Sequence, residues 1–186
     1  MSTLLVEVIN LNKNYGSNQV IKNLSVKITT GVTILKGLNG SGKSTFIKLL
    51  LNLETPSSGK IIRNYDSFSY VPELLQIKSD VKVKDYLKSV LALKKLKKDN
   101  YLESYLELEL EKPLSSLSKG NLKKVLLYLA LVGRPDLIFL DEPLDGLDLK
   151  MKEKVVSYLN KEKLNFVISL HYLEDFINLS EVIEFV

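Results

Sequence analysis

Cysteine and tryptophan are missing from these 186 residues, and histidine occurs once. Without cysteine there can be no disulfide, no thiolate zinc site and no cysteine nucleophile. No apolar run approaches the roughly 20 residues that a bilayer-spanning helix needs. The longest, Val125 to Val132, stops far short. The opening Met1-Ser2-Thr3-Leu4-Leu5-Val6-Glu7 has no basic segment, and a carboxylate stands where the apolar part of a signal peptide should continue. A cytosolic chain is expected, with any membrane role supplied by a separate partner.

What is present is ordinary globular usage: 45% apolar and 26% charged residues. This leaves no room for disorder or a fibrous repeat, and the length suits one domain with a real core. The net charge is +4. Lysines cluster at Lys94-Lys95-Leu96-Lys97-Lys98 and again from Lys150 to Lys163. No aromatic residue interleaves with the first run, so both read as solvated helix faces, and no nucleic-acid partner is expected.

Strand and helix patterns alternate along the chain. Leu5 to Leu11 and Val20 to Ile28 read as paired, half-exposed strands, and Val32 to Leu35 as a short buried one. A helix starts at Lys43, with Phe46, Ile47, Leu50 and Leu51 on one face. Thr55 to Gly59 is a turn, and Ile61-Ile62 and Phe68 to Val71 are strands. Val81 to Tyr105 is polar and helical, burying Leu87, Val90, Leu91 and Leu102. A further helix over Lys119 to Val132 presents Leu122, Val125, Leu126, Leu129 and Ala130. Leu137 to Leu140 and Phe166 to Leu170 are continuously apolar, as in strands covered on both faces. The pattern predicts an α/β fold with a mainly parallel sheet flanked by helices, an N-terminal antiparallel β portion and a small helical insertion.

The strongest chemical signal is Gly37-Leu38-Asn39-Gly40-Ser41-Gly42-Lys43-Ser44, placed between a predicted strand and a predicted helix. It fits the phosphate-binding loop G-x-x-x-x-G-K-[ST]. Glycines let successive backbone N–H groups converge on phosphate oxygens, while the following helix, which continues into Thr45, offers its positive end. Lys43 would reach the β- and γ-phosphates, and the Ser44 hydroxyl suits magnesium. This predicts a nucleoside triphosphate site.

Asp141 and Glu142 end the strand Leu137 to Leu140, where ligands of parallel sheets bind. Asp141 would hold magnesium through its water shell, and Glu142 would orient or deprotonate an attacking water. Alone, Asp-Glu-Pro is an ordinary solvated turn. With the Lys43 loop in the same chain, it reads as the second half of the site.

These motifs, in this order, resemble the nucleotide-binding domain of the ATP-binding cassette family over almost the whole chain. Leu117-Ser118-Lys119-Gly120-Asn121 is similar to the family signature Leu-Ser-Gly-Gly-Gln, and Leu144 to Asp148 to its D-loop. The resemblance implies one domain over residues 1–186. Residues 1–72 and 133–186 would form the ATP-binding core, and 73–132 a compact helical insertion carrying the signature. It implies ATP and Mg²⁺ as ligands, with Ser118, Gly120, Asn121 and Asp148 contacting nucleotide. His171 would be the switch histidine and Tyr15 the aromatic residue that stacks on adenine.

The sequence also departs from the family. Glu73 stands where the Q-loop glutamine should follow Tyr70-Val71-Pro72, and it would still approach the metal; Gln76 is a later substitute. Lys119, Asn121 and Asp145 replace a signature glycine, the signature glutamine and a small D-loop residue. The resemblance implies a head-to-tail pair of domains, with identical chains the simplest case, closing on ATP and reopening after hydrolysis at Glu142 with His171. The first expectation is the ATPase subunit of a transporter, on the cytoplasmic face of the membrane beside a separate permease. Small size and a chain ending just after its last strand suggest export or self-protection. A soluble mechanical ATPase and a low-turnover regulatory module are the alternatives.

Overall fold

Backbone pairing carries the first two strands further than their apolar alternation predicts. In the computed structural model, which describes residues 2–73, 76–171 and 181–185, β1 spans Leu4–Tyr15 and β2 spans Asn18–Thr29. They pair antiparallel through the polar residues Asn12 to Tyr15, down to the turn at Gly16. On the other edge of β1 lies β4 (Ser58–Arg63), giving the order β2-β1-β4. Met1 and Val186, the ends of the expected single domain, lie outside the described residues.

The second sheet has five strands in the order β5-β6-β7-β3-β8. They are β3 (Val32–Lys36), β5 (Phe68–Val71), β6 (Leu137–Asp141), β7 (Phe166–Leu170) and β8 (Glu181–Glu184), and all pair in parallel. Successive side chains point to opposite faces, so each central strand serves two cores. Leu35, Phe139 and Val167 pack with α1 (Lys43–Leu50) and the antiparallel sheet. Ile34, Ile138, Leu140 and Ile168 pack instead with α2 (Val83–Leu93), α4 (Lys119–Leu131) and α5 (Leu149–Lys161). The expected fold class is the observed one.

The helical middle differs from its sequence pattern. Instead of one helical stretch there are two, α2 and α3 (Asn100–Tyr105), with a turn between them at Lys95, whose φ is +55°. Lysines crowded within one turn repel each other. Asp99 then restarts the helix by accepting the Leu102 N–H at 2.9 Å. Val90, Leu126 and Leu129, expected in the core, are half-buried. Leu127, Tyr128 and Leu131 are buried in their place, because α4 is covered by both the sheet and α2. Among the described residues no helix is long and apolar enough to cross a membrane.

Phe46 on α1 is 0% exposed and its ring centroid lies 5.4 Å from that of Phe185. Phe46→Ala should destabilise the protein by about 3–5 kcal/mol, because the cavity left behind cannot fully collapse. Leu93, 84% exposed, provides the contrast. Leu93→Ala should stay within about 0.5 kcal/mol of wild type. Urea denaturation of the two variants checks both values.

Candidate nucleotide site

Parallel strands that end level with one another bring three loops to one place. Lys36 of β3 lies beside Leu170 of β7, and Ser169 of β7 beside Asp141 of β6. The chain therefore leaves β3 at Gly37, β6 at Glu142 and β7 at His171 along one edge of the sheet. That edge is where open parallel sheets bind ligands.

The loop from Gly37 turns into α1 at Gly42, whose φ of +104° falls in the left-handed region. A Cβ there would also sit 3.0 Å from Val20 Cγ1, so the turn requires glycine. Lys43, 5% exposed, donates its ammonium to the carbonyl oxygens of Gly37 at 2.7 Å and Leu38 at 3.1 Å. It also lies 3.5 Å from Glu142 Oε1. His171 Nε2 stands 3.4 Å from the same carboxylate oxygen, and its Nδ1 is 3.3 Å from Gly37 O.

Asp141 and Glu142 are organised by a hydroxyl that the sequence reading did not single out. Ser169 Oγ donates to Asp141 Oδ1 at 2.5 Å and accepts the Glu142 N–H at 2.9 Å. Glu142 itself has a φ of +47°, a costly conformation for a residue with a side chain. Burial pushes its carboxyl above the usual range; the nearby His171 and Lys43 oppose this, and Asp141 adds to it. A carboxyl raised by burial and set beside a histidine and a lysine is suited to proton transfer.

Leu38, Asn39, Gly40, Gly42, Lys43, Ser44 and Thr45 line a cavity of about 180 Å³ together with Glu73 and Glu142. Gly37, Ser41 and His171 line an adjoining hollow. Two buried polar atoms, Ser41 Oγ and Glu142 Oε1, have no hydrogen-bond partner among the described residues. Orphaned buried oxygens of this kind are uncommon in folded proteins and call for a polar partner. Among the described residues no cluster of three or more acidic or histidine side chains could hold a metal alone. The hard oxygens of Ser44, Asp141 and Glu73 fit magnesium, which keeps few protein ligands and completes its shell with phosphate and water.

The other expected site residues lie elsewhere. Tyr15 ends β1 at 45% exposure, donates its hydroxyl to Glu54 and carries the Lys13 ammonium 4.7 Å from its ring centroid. Ser118 caps α4 by accepting the Asn121 N–H at 3.2 Å, and Asp148 caps α5 by accepting the Met151 N–H at 2.9 Å. Asn121 Nδ2 donates to Glu109 at 2.8 Å. A Cβ on Gly120 would fall 2.3 Å from the Gly146 carbonyl oxygen, so this close approach also requires glycine. None of Tyr15, Ser118, Gly120, Asn121 and Asp148 lines the Lys43 cavity, and Gln76 lines a separate groove against α4.

Sequence reasoning missed two buried polar groups. Ser169 could have been found as the lone hydroxyl in the apolar run before His171. Lys123, 3% exposed, donates to Pro72 O and Glu73 O, each at 3.0 Å. Its signal was a lysine inside the apolar stripe of α4.

A phosphate-loop helix and acidic strand end on a parallel sheet define a P-loop nucleoside triphosphatase. Residues 21–145 match the ABC transporter family. The chain is 34% identical to the zinc import ATP-binding protein ZnuC of Rickettsia bellii, over 90% of this chain and 76% of that protein. It is 32% identical to the spermidine/putrescine import ATP-binding protein PotA of Clostridium acetobutylicum, over 97% of this chain and 58% of that one. A putative ABC transporter ATP-binding protein from Pyrococcus furiosus superposes with a TM-score of 0.81 at 27% identity, covering 97% and 96% of the two chains. The chain belongs to the ABC transporter family, as an ATP-binding subunit with ATPase activity.

The raised Glu142 carboxyl has a measurable consequence. Between the ordinary value of 4.5 and its higher folded value, the native state binds the proton that the unfolded chain has released. Stability from this group is therefore full below pH 4.5 and is lost as the pH rises through the folded value. Without nucleotide, Glu142→Gln should melt higher than wild type at pH 8, and the gap should close towards pH 4. Calorimetric melting across that range provides the check.

Proposed function

We propose that the chain is an ATP-gated clamp: two copies close head to tail on ATP and drive a separate membrane permease from the cytoplasmic face. The observation that carries this reading is the separation of Ser118 and Gly120 from the Lys43 cavity of their own chain. A cavity of about 180 Å³ is smaller than sites that enclose a whole ligand, so phosphates enter it and the remainder of the nucleotide stays uncovered. The Ser118 segment of a second copy would supply the cover. Residues 1–72 and 133–186 act as the ATP-binding core and 73–132 as the insertion that presents the signature.

Within the core, the loop Gly37 to Thr45 holds the phosphates and Tyr15 meets the adenine. Ser44, Asp141 and Glu73 hold Mg²⁺, which neutralises phosphate charge when bound. Lys43, now turned towards its loop carbonyls and Glu142, re-aims at the β- and γ-phosphates. Glu142 accepts a proton from the attacking water, and His171 steadies its carboxylate from 3.4 Å. Asn121 and Asp148 contact nucleotide from the opposite chain. Both named import proteins favour import over the export expected from chain size.

Lys43→Ala should abolish calorimetric MgATP binding while leaving the fold intact. Glu142→Gln should lower turnover by about a hundredfold or more yet keep binding. With MgATP it should run as a dimer in size exclusion, and with MgADP as a monomer. Adding Ser118→Trp should dissolve the trapped dimer. A Glu142→Gln protein that stays monomeric with MgATP at high concentration would rule out a clamp of identical copies.

A further inference from the structure

Lys123 is a buried cation to which the roles above give no task. An ammonium offers three donors and no acceptor. Two of the Lys123 donors go to Pro72 O and Glu73 O at 3.0 Å, and Asp141 O lies 3.5 Å away. Pro72 and Glu73 follow β5, whereas Asp141 ends the neighbouring β6. One side chain thus joins the ends of two strands to the helix that Ser118 caps. Methionine would fill the same space and satisfy none of these oxygens, so packing alone does not account for a lysine. A desolvated ammonium is costly to bury unless hydrogen bonds offset the loss of water.

The place it holds matters because Glu73 borders the cavity beside Lys43, Ser44 and Glu142. Fixing the Glu73 backbone fixes the origin from which its side chain extends. We infer that Lys123 is a positioning residue for hydrolysis: it sets the stance of Glu73 towards the metal–phosphate end of the site and ties that stance to α4. This rests on the reading of Glu73 as facing the metal. Lys124 provides an internal contrast. It is also buried, but it donates to Glu107 O at 2.9 Å, a carbonyl that does not border the cavity.

The test measures phosphate release against Mg²⁺ and Mn²⁺ concentration for wild type, Lys123→Met, Glu73→Gln and the double variant, with melting temperatures alongside. Lys123→Met should lower kcat by about tenfold to a hundredfold, as expected when a group that faces the metal is misplaced, and should raise the half-saturating Mg²⁺ concentration. In the Glu73→Gln background the same substitution should cost less than about twofold, because the group it positions is already altered. Lys124→Met should lower the melting temperature without shifting the metal dependence. Effects of Lys123→Met and Glu73→Gln that multiply independently would overturn the role of Lys123 alone. A Glu73→Gln protein with wild-type rate and metal dependence would overturn the reading of Glu73, and this inference with it. Should Lys123→Met not fold, Lys123→Gln, which keeps an amide donor, carries the same expectations and the same contrary results.

Discussion

The parallel register of three strands decides where the chemistry happens. With Lys36 level with Leu170, and Ser169 level with Asp141, the loops at Gly37, Glu142 and His171 emerge together. Side chains alternate between faces along a strand, so a slip of one residue would turn Ser169 away from Asp141 and exchange the two cores. That register is held by Ile34, Ile138, Leu140 and Ile168 on one face and Leu35, Phe139 and Val167 on the other, all 0% exposed. Packing that excludes water from both faces therefore also aligns the site.

Alignment concentrates charge where water is scarce. Asp141 and Glu142 at the end of β6, and Lys43 at the start of α1, are all buried. Each bare ion would cost several kcal/mol there, so none survives without a partner. Asp141 has Ser169, Lys43 has two loop carbonyls, and Glu142 has Lys43 and His171 at ion-pair distance. Glu142 is the least compensated of the three, with one oxygen that accepts no hydrogen bond. Its raised carboxyl is the consequence, and the same deficit prepares it to take up a proton.

The local parts of this site could be read from sequence, and the contacts between distant parts could not. The loop from Gly37 to Ser44 is one continuous motif, and Asp141-Glu142 closes a recognisable apolar strand, so spacing revealed both. Ser169 lies 28 residues from Asp141 and Lys123 lies 51 from Pro72. Such separations leave no periodic trace, and a buried lysine looks like an error in a stripe until its acceptors are seen. The break between α2 and α3 was obscured for a different reason. Helical spacing continues through Lys94 to Lys98, while repulsion and the Asp99 cap set the boundary. Position alone marks Tyr15, whereas its tie to Glu54 comes from folding β1 beside the loop after α1.

Two departures from the family pattern are explained by one contact. Lys119, in place of a signature glycine, forms an ion pair with Asp145, in place of a small D-loop residue. The pair holds the Asp145 carboxyl below its usual range. Both side chains are about half exposed, and such pairs are worth at most about 1 kcal/mol, so its effect on global stability is small. Its effect on geometry is larger because it does not act alone. Gly120 already packs so closely on Gly146 that a Cβ would fall 2.3 Å from the Gly146 carbonyl oxygen, and Lys119 adds a charged tie alongside this contact. The N-terminus of α4 and the loop that follows Glu142 are therefore joined by two adjacent contacts. Replacing either charged residue alone would remove this tie and leave the other half exposed to solvent, at a cost within the same ~1 kcal/mol, while the Gly120–Gly146 contact remains.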